Sequence, residues 1–85
     1  MKLANGVTVT EIEDGTVLFD ARRGKYWHLN DVGAEVVNGV VNGQQVTAIA
    51  REISERTGAD EAMVTADCQE LLHQLRTAKL VRGKA

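Results

Sequence analysis

Proline is absent from this chain, cysteine occurs once, and only three of its 85 residues are aromatic. Without proline no rigid linker or helix-breaking boundary is marked, so residues 1–85 read as one small domain. The single cysteine, Cys68, excludes an internal disulfide and a cysteine-based zinc site, and it fits a reducing compartment. A formal net charge of −2 gives no long-range pull toward nucleic acid or an acidic membrane. No apolar run is long enough to span a bilayer, and no basic-then-apolar signal opens the chain. The expectation is a cytoplasmic protein.

Catalytic patterns are missing as well. No GxSxG, HExxH or P-loop spacing occurs, and a domain of this length has no room for a deep cleft between lobes. Cys68 lies on an apolar helical stripe, where a thiol stays protonated and inert. His73 falls nearly opposite that stripe and reads as a solvated helix residue. With His28 elsewhere, these groups do not form a metal-ligand set. No catalytic residue, metal or cofactor is expected.

The aromatics that are present are crowded. Tyr26 and Trp27 stand side by side in Lys25-Tyr26-Trp27-His28-Leu29, and Phe19 lies just upstream. Alternating β-branched residues predict a strand over 7–12, an Asp14-Gly15 turn follows, and 16–21 reads as a second strand. Arg22-Arg23-Gly24 is the next turn, and 25–29 is the third strand. Asn30 or Asp31 then caps a helix over 31–41, in which Val32, Val36, Val37, Val40 and Val41 recur at helical spacing. A second helix is predicted over 47–57 and a third, capped by Asp60, over 60–79. On the third, Val64, Cys68, Leu71, Leu75 and Ala78 form the apolar stripe, with Leu72 at its border. Leu80 and Val81 follow, before a charged tail carrying Arg82 and Lys84. The fold class is α+β: a three-stranded antiparallel sheet, then a three-helix, winged-helix-like bundle.

Successive side chains of a strand alternate faces, so the third strand exposes one of its two adjacent aromatics wherever the core lies. The simplest assignment points Trp27 and Leu29 at the helices and Tyr26 and His28 away. Only Lys25 puts a charge on this strand, whereas exposed edges are usually blunted by charge or proline. An open edge can pair with an extended peptide. Met63, Asp67, Glu70 and Gln74 form a mixed flank of the third helix. Placed beside the third strand, that flank would make a groove favouring a peptide with Lys or Arg. DNA binding is the alternative, since a tri-helical bundle can offer its third helix to a major groove. Here Asp60, Glu61, Asp67 and Glu70 would repel phosphate. Arg22, Arg23 and Lys25 read either as a basic wing or as a solvated turn.

The run ARRGKYWHLNDVGAEVV (21–37) resembles the strand-to-helix segment of PqqD-like proteins, and ADCQELLHQLRTAKLV (66–81) resembles their third helix. The likeness is greatest to the small stand-alone members associated with lasso peptide biosynthesis. It implies a RiPP recognition element, a domain that recognises ribosomally made precursor peptides. The leader segment would add as a strand to the third strand, beside the third helix. The domain would present the precursor to a leader-cleaving cysteine protease and an ATP-dependent macrocyclase. Carried over position by position, the strand wall is Lys25, Tyr26, Trp27, His28 and Leu29. The helix contacts are drawn from Val64, Asp67, Glu70, Leu71, Gln74 and Leu75. The resemblance gives His28 no special role.

Overall fold

Alternation and turn chemistry place the sheet where the sequence reading puts it. The computed structural model describes residues 1–83. Its elements are β1 (Lys2–Leu3), β2 (Val7–Ile12), β3 (Gly15–Asp20), β4 (Lys25–Leu29), α1 (Asp31–Val41), α2 (Val46–Thr57), α3 (Glu61–Thr77) and β5 (Val81–Arg82). β2, β3 and β4 form an antiparallel meander in that order, with Leu18 opposite Trp27 and Phe19 opposite Tyr26. The fold is α+β, as expected.

Two boundaries of the meander have local causes. β3 ends at Asp20 rather than residue 21, because the Asp20 carboxylate accepts the Arg22 backbone N–H at 3.0 Å and its carbonyl accepts Gly24 N–H at 2.8 Å. That pulls Ala21 into the turn. At the other end, Gly15 has φ +127°, and a Cβ there would sit 2.6 Å from the Leu29 carbonyl oxygen. Only glycine lets β3 begin this close to the end of β4.

Leu18, Val36, Val37, Val40, Ile49 and Leu75 are fully buried between the inner sheet face and the three helices. α1 approaches α2 closely at Gly39, where a Cβ would meet the Ile49 side chain at 2.6 Å. Arg56 Nη2 donates to Glu35 Oε1 at 2.6 Å and ties the same two helices at the surface. Not every valine of α1 joins the core: Val32 is 42% exposed and Val41 half-buried. On α3 the stripe is rotated from the expectation, with Leu72 in the core and Leu71 half-buried at its margin.

α3 is shorter than predicted at both ends. Asp60 lies outside it as the N-cap, accepting from the Ala62 and Met63 amides. At the C-terminus Lys79 turns left-handed (φ 60°), Leu80 N–H returns to the Leu75 carbonyl and Lys79 N–H to that of Arg76, both at 2.9 Å. This is a Schellman closure with Leu80 packed inward, and a lysine stands where glycine is usual. A left-handed non-glycine residue costs roughly 1 kcal/mol. Lys79→Gly is therefore expected to raise the melting temperature by roughly 4–8 °C. An unchanged or lower midpoint in a calorimetric scan would show that the closure carries no strain.

The expected charged tail is not a free end at Arg82. Val81 and Arg82 pair antiparallel with Leu3 and Lys2, and Ala4 N–H donates to the Leu80 carbonyl at 2.9 Å. Burial of Leu80 and Val81 anchors this small second sheet. Lys84 lies outside the described residues.

Candidate functional site

β4 is the last strand of the meander, and among the described residues nothing pairs with its outer edge. Alternation sends Leu29 into the core and leaves Trp27 half-buried against it, with Tyr26 and His28 on the other face. Tyr26 is 73% exposed and rests against Phe19, ring centroids 4.7 Å apart. The His28 Nε2 lies 2.9 Å from the Asp14 carbonyl oxygen, linking the far end of β4 to the β2–β3 turn. The inward assignment of Trp27 and Leu29 holds.

The unpaired edge of β4 runs beside α3 with a furrow between them, and Trp27 divides that furrow into two depressions. One, of about 370 Å³, lies at the Leu29 end. Its floor and walls are Val32, Gly33 and Val36 of α1, Ile53 of α2, and Val64, Cys68 and Leu71 of α3, with Asp67 on its rim. The other, of about 430 Å³, lies at the Lys25 end, bounded by Arg23, Lys25, Tyr26, Trp27 and the residues that close α3. The helix therefore runs antiparallel to β4 along the furrow, its middle beside Leu29 and its C-terminus beside Lys25.

The basic turn is neither a free wing nor merely solvated. Arg22 Nη2 donates to the Lys79 carbonyl at 3.1 Å, and Arg23 Nη1 to the Ala78 carbonyl at 3.3 Å. Two guanidinium groups thus cover carbonyls that the end of α3 leaves without helical partners, a favourable place for cations. Arg22 Nε also meets Asp20 Oδ1 at 3.2 Å. Asp20 is 1% exposed, and the Arg22 hydrogen bond holds its carboxyl below the ordinary carboxylate range, against the opposing effect of burial. A depressed folded value stabilises the fold above the unfolded carboxylate value of about 3.9 and ceases to as pH falls through the lower folded value. Asp20→Asn is expected to lower the urea midpoint at neutral pH and to flatten its decline under acid. Equal midpoints for the two proteins at neutral pH would rule out this role.

Of the residues expected to form the site, Trp27, His28, Leu29, Val64, Asp67 and Leu71 meet at the apolar depression, and Lys25, Tyr26 and Trp27 at the other. Leu75 does not reach either; it is 0% exposed, a core residue of α3. Glu70 and Gln74 are exposed and bonded to each other at 3.2 Å, outside both depressions. The sequence reading missed the α1 contribution, Val32 and Gly33, although the exposure of Val32 accounts for an apolar residue that the core leaves unused. Burial pushes the Cys68 thiol up from its ordinary value, with the Asp67 charge adding to it, so the thiol beneath the depression stays protonated. Among the described residues no three His, Cys, Asp or Glu side chains converge on a possible metal site, and no helix is long and apolar enough to cross a membrane.

An antiparallel meander whose β4 edge is open, backed by three helices and furrowed along the last of them, defines the structural class. The chain belongs to the PqqD family: the family model for coenzyme PQQ synthesis protein D matches residues 15–81. Among solved structures, TbiB1 in complex with the TbiA(beta) leader peptide aligns at TM-score 0.86 and 27% identity, over 100% of this chain and 99% of that one. Lasso peptide synthetase B1 complexed with the leader peptide aligns at TM-score 0.91 over 96% of both chains, and at 24% identity this is a likeness of fold. The PqqD truncation of Methylobacterium extorquens PqqCD, described as a stand-alone RiPP recognition element, aligns at TM-score 0.79 and 25% identity, over 96% of this chain and 87% of that one. No curated protein gives a sequence match.

Proposed function

We propose that this chain binds the leader segment of a ribosomally synthesised, lasso-type precursor peptide by strand addition to β4, beside α3. The observation that carries the reading is the unpaired β4 edge lying along a furrow with an apolar hole at one end. Main-chain pairing along the edge supplies affinity with little sequence dependence, and the hole selects a side chain. An aromatic or proline side chain suits it. Two structurally similar proteins are complexed with leader peptides, which supports leader binding by this chain.

The domain acts as a binding module, not as a catalyst. Working in the cytoplasm, it presents the precursor to a leader-cleaving cysteine protease and an ATP-dependent macrocyclase, raising the effective substrate concentration at each. A leader that is disordered before docking loses chain entropy on binding. Binding is then on the order of micromolar or somewhat tighter, about −8 to −10 kcal/mol.

Titration of a fluorescently labelled leader from the cognate precursor tests this. Saturable binding is the expected result. A folded protein that shows none at concentrations on the order of tens of micromolar contradicts the reading. If the protein then still bound the protease, it would be a docking subunit instead. Arg22 and Arg23 already donate to carbonyls just past the end of α3, which weakens the case for a DNA-binding wing. The chain is expected to flow through heparin at low salt. Retention that falls steeply with added salt would favour nucleic acid.

A further inference from the structure

We infer that the Lys25 end of the furrow is a subsite for a carboxylate side chain of the bound peptide, spaced four residues from the side chain that fills the apolar end. The inference rests on the peptide-docking reading and adds a charge and a register to it. Lys25, on the inward face with Trp27 and Leu29, bounds this depression together with Arg23 and Lys79. The carboxylate there, Asp20, is already engaged by the Arg22 backbone N–H and guanidinium. Among the described residues neither Lys25 nor Lys79 has an ion-pair partner. Two uncommitted ammonium groups therefore border a recess whose walls include Trp27 and Leu80. An anion placed there is attracted more strongly than at an open surface.

The backbone points the same way. Lys79 is the one non-glycine residue of positive φ among those described, at a helix closure where glycine would relieve strain. A lysine held there, on the rim of the recess, is accounted for by a task for its side chain. At the opposite end the charge is reversed, with Asp67 on the rim of the apolar depression. The furrow is thus cationic beside the end of α3 and acidic near its middle.

Strand geometry converts this polarity into a motif. A peptide paired with β4 turns alternate side chains into the furrow, opposite Leu29, Trp27 and Lys25. The outer two lie about 13 Å apart. Trp27 borders both depressions and fills the space between, so the middle side chain must be small. The preferred segment has an apolar residue, then a small one two positions away, then Asp or Glu two positions further. A parallel or antiparallel strand direction sets which end comes first.

Selection from a random-peptide display library, with the full chain as bait and a folded Leu71→Asp protein as counter-bait, tests this. Enriched peptides are expected to carry the apolar-x-small-x-acidic pattern in one orientation. Synthetic versions should bind roughly three- to tenfold more tightly than their Glu-to-Gln counterparts. Lys25→Glu should abolish that preference, and Lys79→Gln should reduce it. Both residues are exposed, so each variant is expected to fold, which circular dichroism checks. Enrichment of an apolar anchor without the acid, or equal affinity for the Gln peptides, overturns the subsite and leaves the docking reading in place. Absence of any peptide that distinguishes wild type from Leu71→Asp overturns both.

Discussion

Trp27→Ala is expected to weaken leader binding roughly thirty- to a thousandfold, about 2–4 kcal/mol, the loss typical of a central interface tryptophan. Three features of Trp27 underlie that expectation. It lies on β4, where the leader is proposed to dock, it borders both depressions, and its half-buried ring holds the surface that separates them. The ring also packs against the core, so the variant loses some stability. Circular dichroism and a urea midpoint separate the two effects. Leu71→Ser gives an independent check, because Leu71 lines the same depression from α3 and is only half-buried. A folded Trp27→Ala protein with wild-type affinity would show that the leader does not use this furrow.

The largest effect on stability away from the core is expected at Gly15. Its φ of +127° is poorly accessible to other residues, and an added Cβ would meet a backbone carbonyl, that of Leu29, at 2.6 Å. Backbone cannot swing aside as a side-chain tip can. Gly15→Ala should therefore cost about 2–4 kcal/mol, combining the strain of a forbidden φ with displacement of the β3–β4 register. In a domain of this size the melting temperature falls by roughly 10 °C or more. Because the displaced group is the last carbonyl of β4, leader affinity should fall as well, whereas a core truncation of similar cost leaves affinity intact in the folded fraction. A melting temperature within a degree or two of wild type would mean that the β3–β4 register does not depend on Gly15.

Much of this architecture is legible in the residues themselves. The β2–β3–β4 meander follows from period-two alternation and the glycines of its turns, and the inward pointing of Trp27 and Leu29 from parity alone. Asn30 and Asp60 mark helix starts because their side chains satisfy first-turn amides. What escapes the sequence depends on neighbours. Helical spacing places Leu71 and Leu72 on adjoining faces of α3, but it cannot show that β4 stands off from the helix and leaves Leu71 at a furrow while Leu72 is covered. Val32 looks like core for the same reason. Arg22 and Arg23 reach carbonyls 57 and 55 residues away, and no local pattern encodes such a contact. The β1–β5 pair has two residues in each strand, too few for any periodicity to appear.

A leader that docks as proposed becomes the next strand of this sheet, at β4. Amide hydrogen exchange and inter-strand nuclear Overhauser effects on the isotope-labelled chain with bound leader test it directly. The expected result is slowed exchange at alternate amides within Lys25–Leu29, cross-strand contacts from those residues to the leader, and shifts at Val64, Asp67 and Leu71. Protection confined to β2 or to the outer face around Phe19 and Tyr26, with the β4 amides unchanged, would contradict it.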